Sequence, residues 1–270
     1  MRKRISKLSI REDTMNRSAD QQIGGNNYDV YDHYAWFWNK YWGRTSARKV
    51  LPIVKNRLLK DLPRGSLVMD VCCGTGQLLK LIEREGFASI GIDGSHEMIR
   101  YAQMNCPQGQ FHVQDIRLPM NTSQKIDAAC SFFDSLNHIV DFADLKAVFK
   151  NISDRMVQHG KFLFDLNMEA GYLERWNDKV FHIIQPDHVC IDRMAYDPNS
   201  RIGTNNVTLF AFRNHWERMD ITIVEKCYTQ PEIIEALESA NFHDIHFYEA
   251  EKEFGFKDEK GRYYIICTKQ

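Results

Sequence analysis

From residue 66 onward, short apolar runs alternate with stretches whose apolar residues recur at helical spacing. Residues 66–71 (SLVMDV) read as a buried strand. Over 76–86, Leu78, Leu79, Leu81 and Ile82 repeat at helical spacing, and a glycine ends the stretch as a stop. Residues 88–92 read as a second short strand. Ser95 caps a helix over 95–105 with Met98, Ile99 and Ala102 on one side. A third strand at 111–113, a fourth at 126–132, a helix over about 142–157 and a fifth strand at 160–166 continue the rhythm. This alternation predicts an α/β fold, a doubly wound, mostly parallel seven-stranded sheet with helices on both faces.

The rhythm breaks between about 170 and 229, which lacks helical period. Runs at 180–184, 189–195, 207–212 and 221–228 alternate or are β-branched and aromatic, with turn signals at 185–187, 197–200 and Asn214. They predict a small antiparallel β lid inserted between the fifth strand and the last helix. The α/β pattern resumes with a helix at 231–240, opened by proline. Strands at 245–250 and 263–268 follow, joined by the charged turn 257–262 into a hairpin that closes the sheet edge. The expected organisation is therefore a core at 23–169, an insertion at 170–229 and a C-terminal completion at 230–270. Residues 1–22 are basic and polar with no apolar h-region, and read as a disordered tail rather than a secretory signal. A nucleic-acid- or membrane-touching arm is the alternative reading of that tail.

Composition narrows the partners. A hydrophobic content of 43% and a charged content of 26% over 270 residues suit an ordinary soluble protein. The net charge of −1 provides no general field for nucleic acid or an anionic membrane, so neither is expected as a partner. No apolar run approaches the roughly 18 residues of a spanning helix. Seven scattered cysteines without a C-x-x-C pair suggest reduced thiols in a cytoplasmic protein and no zinc site. Cys72, Cys106, Cys130 and Cys227 read as small core hydrophobes. His182, His188 and His215 lack ligand spacing and read as surface, so no metal is expected.

The strongest chemical signal is Asp70-Val-Cys72-Cys73-Gly74-Thr-Gly76, between the first strand and a helix. Glycines there let a ligand approach the backbone, and the helix start presents free N–H groups. Asp93 ends the second strand, beside Gly94, where a carboxylate can accept both hydroxyls of a ribose. Gln114 and Asp115 end the third strand, where Asp115 suits an adenine amine and Ile116 the ring face. Each acid alone reads more readily as a helix cap or a solvated turn. Three in register after three successive strands point to one nucleotide-like ligand.

The run VMDVCCGTGQLLKLIEREGFASIGIDGSHEMIRYA resembles the cofactor-binding half of the class I S-adenosylmethionine (SAM)-dependent methyltransferases. The resemblance covers about 28–166 well and the C-terminal hairpin loosely. Within that superfamily the chain is similar to glycine N-methyltransferase and related small-molecule N-methyltransferases, through an aromatic N-terminal helix, an arginine before the first strand and an inserted lid. The resemblance implies Asp70, Gly74 and Gly76 near the methionyl part, Asp93 on the ribose and Asp115 by the adenine. Gly94, Met98, Gln114, Ile116 and Phe132 complete the expected cofactor contacts. Cys72 stands where the family more often has Gly or Ala, a departure that tightens the loop.

The segment YDVYDHYAWFWNKYWGRTSARKV is dense in rings. By itself it reads equally as an amphipathic helix packed on the core. The resemblance implies that Tyr28, Trp38, Tyr41 and Arg48 cover the cofactor, with Arg48 paired to its carboxylate and Tyr28 near the sulfonium or the acceptor. After the fourth strand, Asp134, Asn137 and His138 sit where the transferable methyl is expected. His138 reads as a general base, a substrate hydrogen-bonder or a helix cap. Asn167, after the fifth strand, stands where the glycine enzyme holds its substrate carboxylate with arginine, which argues against glycine.

The expectation is a SAM-dependent methyltransferase that leaves S-adenosylhomocysteine and methylates a small molecule, most simply an amine nitrogen, with Tyr28, Asp134 and His138 at the reacting centre. Rival readings are a small-molecule O-methyltransferase with His138 as base, an RNA or protein methyltransferase, and a non-catalytic SAM-binding scaffold. The lid reads as a substrate clamp or a homodimer interface. A dehydrogenase fits less well still, because D-x-x-x-G-x-G does not match the dinucleotide spacing.

Overall fold

The computed structural model describes residues 28–270, so the expectation for residues 1–22 lies outside the described residues. The chain opens with the ring-rich helix α1 (Asp29–Tyr41) and with α2 (Gly43–Ile53), which runs on through a wider π turn at Val54–Leu59. The core follows as β1 (Leu67–Val71), α3 (Gln77–Arg84), β2 (Ala88–Asp93), α4 (His96–Asn105), β3 (Gln110–Val113), β4 (Ile126–Ser131), α5 (Phe142–Arg155) and β5 (Met156–Asn167). Next come α6 (Glu169–Arg175) and the strands β6 (Lys179–Gln185), β7 (His188–Asp197), β8 (Ile202–Phe212) and β9 (Trp216–Lys226). The chain closes with α7 (Gln230–Ser239), β10 (Phe242–Glu249), α8 (Ala250–Phe254) and β11 (Arg262–Lys269).

The main sheet has seven strands in the order β10-β11-β5-β4-β1-β2-β3, parallel except for β11, which runs antiparallel to both β5 and β10. Alternate residues of a strand point to opposite faces, and β1 shows the consequence. Met69 and Val71 enter a core with Leu145, Phe149 and Ile152 of α5 and Leu237 of α7. Val68 enters a second core with Val50 of α2, Leu79 and Ile82 of α3 and Ile99 of α4. A strand buried on both faces has no polar side to alternate, which is why these strands read as continuous apolar runs.

The four lid strands form a separate antiparallel sheet in simple meander order. Its inner face does not rest directly on the main sheet. Cys190, Val207, Leu209 and Ile221 pack on Tyr34 and Phe37 of α1, while Met194, Tyr196 and, just past β9, Cys227 pack on Tyr172 of α6 and on Trp176 just beyond it. Helix α6 lies within the stretch that lacks helical period by sequence. At seven residues it is too short to show one, and its buried contribution is the Gly171–Tyr172 corner. The link between β10 and β11 is also not the tight charged turn that the sequence suggests. Helix α8 fills it, with Ala250 buried and the Phe254 ring 5.3 Å from that of Tyr264. No helix among the described residues is long and apolar enough to cross a membrane.

Candidate functional site

A cavity of about 1170 Å³ lies over the carboxyl ends of β1, β2, β4 and β5, between the main sheet, α1 and the lid. Its near end is built from strand tips. Asp70 is 4% exposed, and among the described residues its Oδ1 accepts only the weak Cys130 Sγ–H donor at 3.6 Å. Burial without a strong donor lifts its carboxyl to about 8. Cys72 turns the chain with a φ of 61°, and both Cys72 and Gly74 line the cavity. Gly76 lies against a helix instead. A Cβ there would stand 2.9 Å from the Cα and Cβ of Ala102, so the missing side chain lets α4 close on the loop.

Asp93 holds that loop by its backbone. Its Oδ2 accepts the Gly74 N–H and its Oδ1 the Ser95 N–H, both at 2.9 Å. Burial raises it to about 6 against the pull of these donors. Gly94 lies under the Tyr28 ring, where an added Cβ would fall 2.1 Å from a ring carbon. The Tyr28 hydroxyl donates to Asp115 Oδ1 at 2.9 Å, and Arg117 pairs with the same carboxylate at 2.9 Å. Burial works against ionisation of Asp115, but the Arg117 hydrogen bonds outweigh it and hold the carboxyl below its ordinary value. Met98, Ile116, Phe132 and Trp38 complete the apolar wall.

Asp115 itself is not among the lining residues, and three further residues expected at the cofactor stand elsewhere. Gln114 turns away from the cavity and donates to Pro119 O at 3.0 Å while accepting the Asn121 N–H at 2.9 Å, which pins the following loop. The Tyr41 hydroxyl hydrogen-bonds to His188 Nε2 on β7 and ties α1 to the lid. His188, which reads as surface by sequence, is 2% exposed. Arg48 is exposed on α2, and the neighbouring Ala47 and Gly43 line the cavity in its stead.

The far end is polar and largely closed. Phe133 and Asp134 adopt consecutive left-handed conformations, with φ of 64° and 51°, at the start of a 3-10 turn over Ser135–His138. The Asp134 N–H donates to Asp165 Oδ1 at 3.1 Å. Asp134 Oδ2 accepts from Arg262 at 2.9 Å and from the Asn167 amide, and Arg262 also pairs with Asp165. Asn167 in turn accepts from Arg175 of α6. Asn137 is fully buried and knits backbone together, donating to Lys226 O at 2.8 Å and Asn167 O at 3.1 Å and accepting the Asn167 N–H at 2.9 Å. The structure thus places Asn137 among structural contacts, behind the cavity wall. His138 remains at the wall, its ring edge-on to Tyr31 at 5.7 Å, and burial pulls its imidazole below the ordinary range.

Sequence reasoning missed Tyr31, Arg175, Glu225 and Arg262, all of which line this cavity. One signal was available. In ITIVEKCY the inward positions of β9 are Ile221, Ile223 and Glu225, followed just past the strand by the buried Cys227, so an acid interrupts an otherwise apolar face. The arginines had no such signal, because their positions depend on where α6 and the end of β11 fold back.

Residues 68–160 match the family described as a methyltransferase domain. That match spans about a third of the chain, and the seven-stranded sheet around it has the class I methyltransferase fold. Among solved structures, the SAM-dependent methyltransferase of Clostridium acetobutylicum ATCC 824 superposes on this chain with a TM-score of 0.69 at 21% identity, covering 88% of this chain and 98% of its own. The SAM-bound amino pentose methyltransferase CalS10 of Micromonospora echinaspora superposes at 0.66 and 16% identity, over 88% and 96%. In sequence, the dTDP-3-amino-3,4,6-trideoxy-α-D-glucopyranose N,N-dimethyltransferase of Streptomyces venezuelae is 26% identical over 137 residues, 49% of this chain and 53% of that enzyme.

CalS10 holds SAM, the cofactor that the sequence resemblance implies for this chain. The near end of the cavity suits it. SAM carries an ammonium, and the buried Asp70 has no strong donor among the described residues. SAM carries a ribose diol, and Asp93 ends β2 at the cavity wall. Its sulfonium is a cation, and Trp38 and Tyr31 offer aromatic faces.

Proposed function

We propose that the chain is a small-molecule N-methyltransferase of the cytosol that takes an amine as acceptor. The observation that carries this reading is the continuity of the cavity. It runs from the Asp70–Gly74 loop to a polar far end lined by Asp134, His138 and Glu225 under the lid. Carboxylates beside an imidazole suit a cationic amine that must lose a proton. The sugar-amine dimethyltransferase named above adds support of the same kind, as does the resemblance to glycine N-methyltransferase.

In this reading Asp93 accepts the ribose hydroxyls, Asp115, fixed by Arg117, faces the adenine, and Asp70 receives the methionyl ammonium. Tyr28 and Trp38 shield the reacting region. When bound, SAM supplies a methyl group already activated on a sulfonium. The residues therefore have to hold the acceptor nitrogen in line about 3 Å away, exclude water and keep that nitrogen unprotonated. The lid excludes water, and His138 takes the proton. Asn167 is engaged by Asp134 and Arg175, so it shapes the pocket and is not the carboxylate anchor that glycine would need.

The test is calorimetric titration with SAM, S-adenosylhomocysteine and NAD, followed by a radiolabelled methyl-transfer screen over amino sugars, amino acids and simple amines. Micromolar binding of the first two ligands, none of NAD, and label in an amine support the reading. Label that enters only hydroxyl or carboxyl acceptors would overturn it.

A further inference from the structure

Glu225 is 3% exposed on the inner face of β9, among apolar neighbours. One carboxylate oxygen accepts the Tyr172 hydroxyl at 2.7 Å. The other stands 3.8 Å from Nε2 of His138. On the opposite side of that ring, Nδ1 lies 3.3 Å from Val224 O. A carbonyl oxygen can only accept, so Nδ1 carries the hydrogen and Nε2 is the nitrogen that gains or loses a proton. Nε2 and the carboxylate oxygen are then two acceptors facing one another, a placement that one shared proton relieves. No other cation stands within ion-pair distance of Glu225 among the described residues. Arg262 is occupied by Asp134 and Asp165, and Arg175 by Asn167 and Lys260 O.

We propose that Glu225 and His138 work as one proton-accepting pair for the acceptor's ammonium, so that a lid residue completes the reacting centre. The proposal rests on the reading of the chain as an amine methyltransferase. The ammonium gives one proton to Nε2, and the electron pair of the broken N–H bond stays on nitrogen as the nucleophile. The pair passes from a net charge of −1 to zero. After transfer the product departs as the methylated ammonium, and the pair returns its proton to solvent.

The surroundings favour the neutral, one-proton form of the pair. Tyr31 of α1 packs edge-on against the ring, Tyr172 of α6 holds the carboxylate, and Asp134 on the same turn as His138 adds negative charge. Burial, together with Asp134, pushes the Glu225 carboxyl up, and burial pulls the His138 imidazole down, so neither group readily holds a charge alone. A second acceptor lies nearby. The buried Oδ1 of Asn205, a cavity-lining residue on β8, has no hydrogen-bond donor among the described residues and can take an N–H of the bound amine.

The test uses Glu225→Gln, which keeps an oxygen for Tyr172 but cannot ionise, and the amine with the highest turnover in the acceptor screen. Expected results are unchanged SAM affinity and melting temperature, with kcat/KM for the amine at pH 7 lower by roughly 100-fold. That loss shrinks at least tenfold once the pH passes the amine's own pKa, because the acceptor then arrives neutral. An equal loss at every pH would make Glu225 merely structural and overturn the proposal, as would no loss. If Glu225→Gln melts below assay temperature, Glu225→Asp replaces it. That variant keeps the charge and is expected to show a smaller loss with the same narrowing at high pH, and a pH-independent loss again overturns the pair. A wild-type protein that binds SAM but methylates no amine fails at the parent reading instead.

Discussion

The two ends of the cavity are built on different principles. At the near end, single residues at strand tips meet the ligand, and much of the geometry is backbone. Asp93 holds the Gly74 and Ser95 amides, and Gly94 admits the Tyr28 ring. At the far end, side chains from four segments lock one another. Asp134, Asp165, Asn167, Arg175 and Arg262 form a network that no single segment specifies. Near-end substitutions should therefore change affinity first, while far-end substitutions should change stability first.

The largest effect is expected at the far end. Arg262→Met leaves Asp134 and Asp165 buried without their cation, and removing one partner of a buried pair costs roughly 3–5 kcal/mol. Denaturant unfolding should show a loss of that size. An unfolding midpoint close to wild type would mean that the network is a surface feature and would erase the contrast between the two ends. The near-end counterpart is Asp93→Ala. It also removes the acceptor of the Gly74 and Ser95 amides, so it should lower unfolding stability by about 1–3 kcal/mol, less than Arg262→Met. It should weaken SAM by roughly 10–100-fold, the effect of losing charged hydrogen bonds worth about 1.5–3 kcal/mol. Unchanged affinity by calorimetry would remove Asp93 from the ribose.

This difference also decides what could be read from the sequence. The parallel strands, the capped helix α4 and the order of elements follow from local period, and β1, β2 and β4 begin and end within about two residues of expectation. The three acids after three strands were visible because strand ends are themselves local features. The far end was not, since Arg175 and Arg262 are 87 residues apart and meet Asn167 and Asp134 only through the tertiary fold. Helix α6 was too short to show a period. Gln114 and Asn137 were correctly placed at the sheet's rim but not on the right side of it. Which way a polar side chain turns there depends on the neighbouring loop carbonyls it satisfies.

A smaller effect sharpens the account of the near end. With its carboxyl lifted to about 8, Asp70 is mostly protonated in the free protein at pH 7. A bound ammonium favours the ionised form, so SAM binding should release a proton. Its affinity should rise with pH, by up to about tenfold per unit, and level off above pH 8. The sign follows from the raised value, because the free protein holds a proton that the complex does not. Titrations in buffers of different ionisation enthalpy measure the release directly. Proton uptake, or none, would place the ammonium elsewhere.

The smallest expected effect is the most pointed. The resemblance to glycine N-methyltransferase implies that Arg48 pairs with the SAM carboxylate, whereas here Arg48 is exposed and Ala47 lines the cavity. The N–H groups at the start of α3, beside the cavity-lining Gln77, are the alternative donors for that carboxylate, since a helix start carries both free donors and positive potential. Arg48→Ala should then change SAM affinity by less than about twofold, within the scatter expected of a surface substitution. A loss of tenfold or more would mean that α2 rotates Arg48 inward when the cofactor binds. The near end would then be assembled by its ligand, as a mobile site is, and would no longer be the preformed half of the cavity.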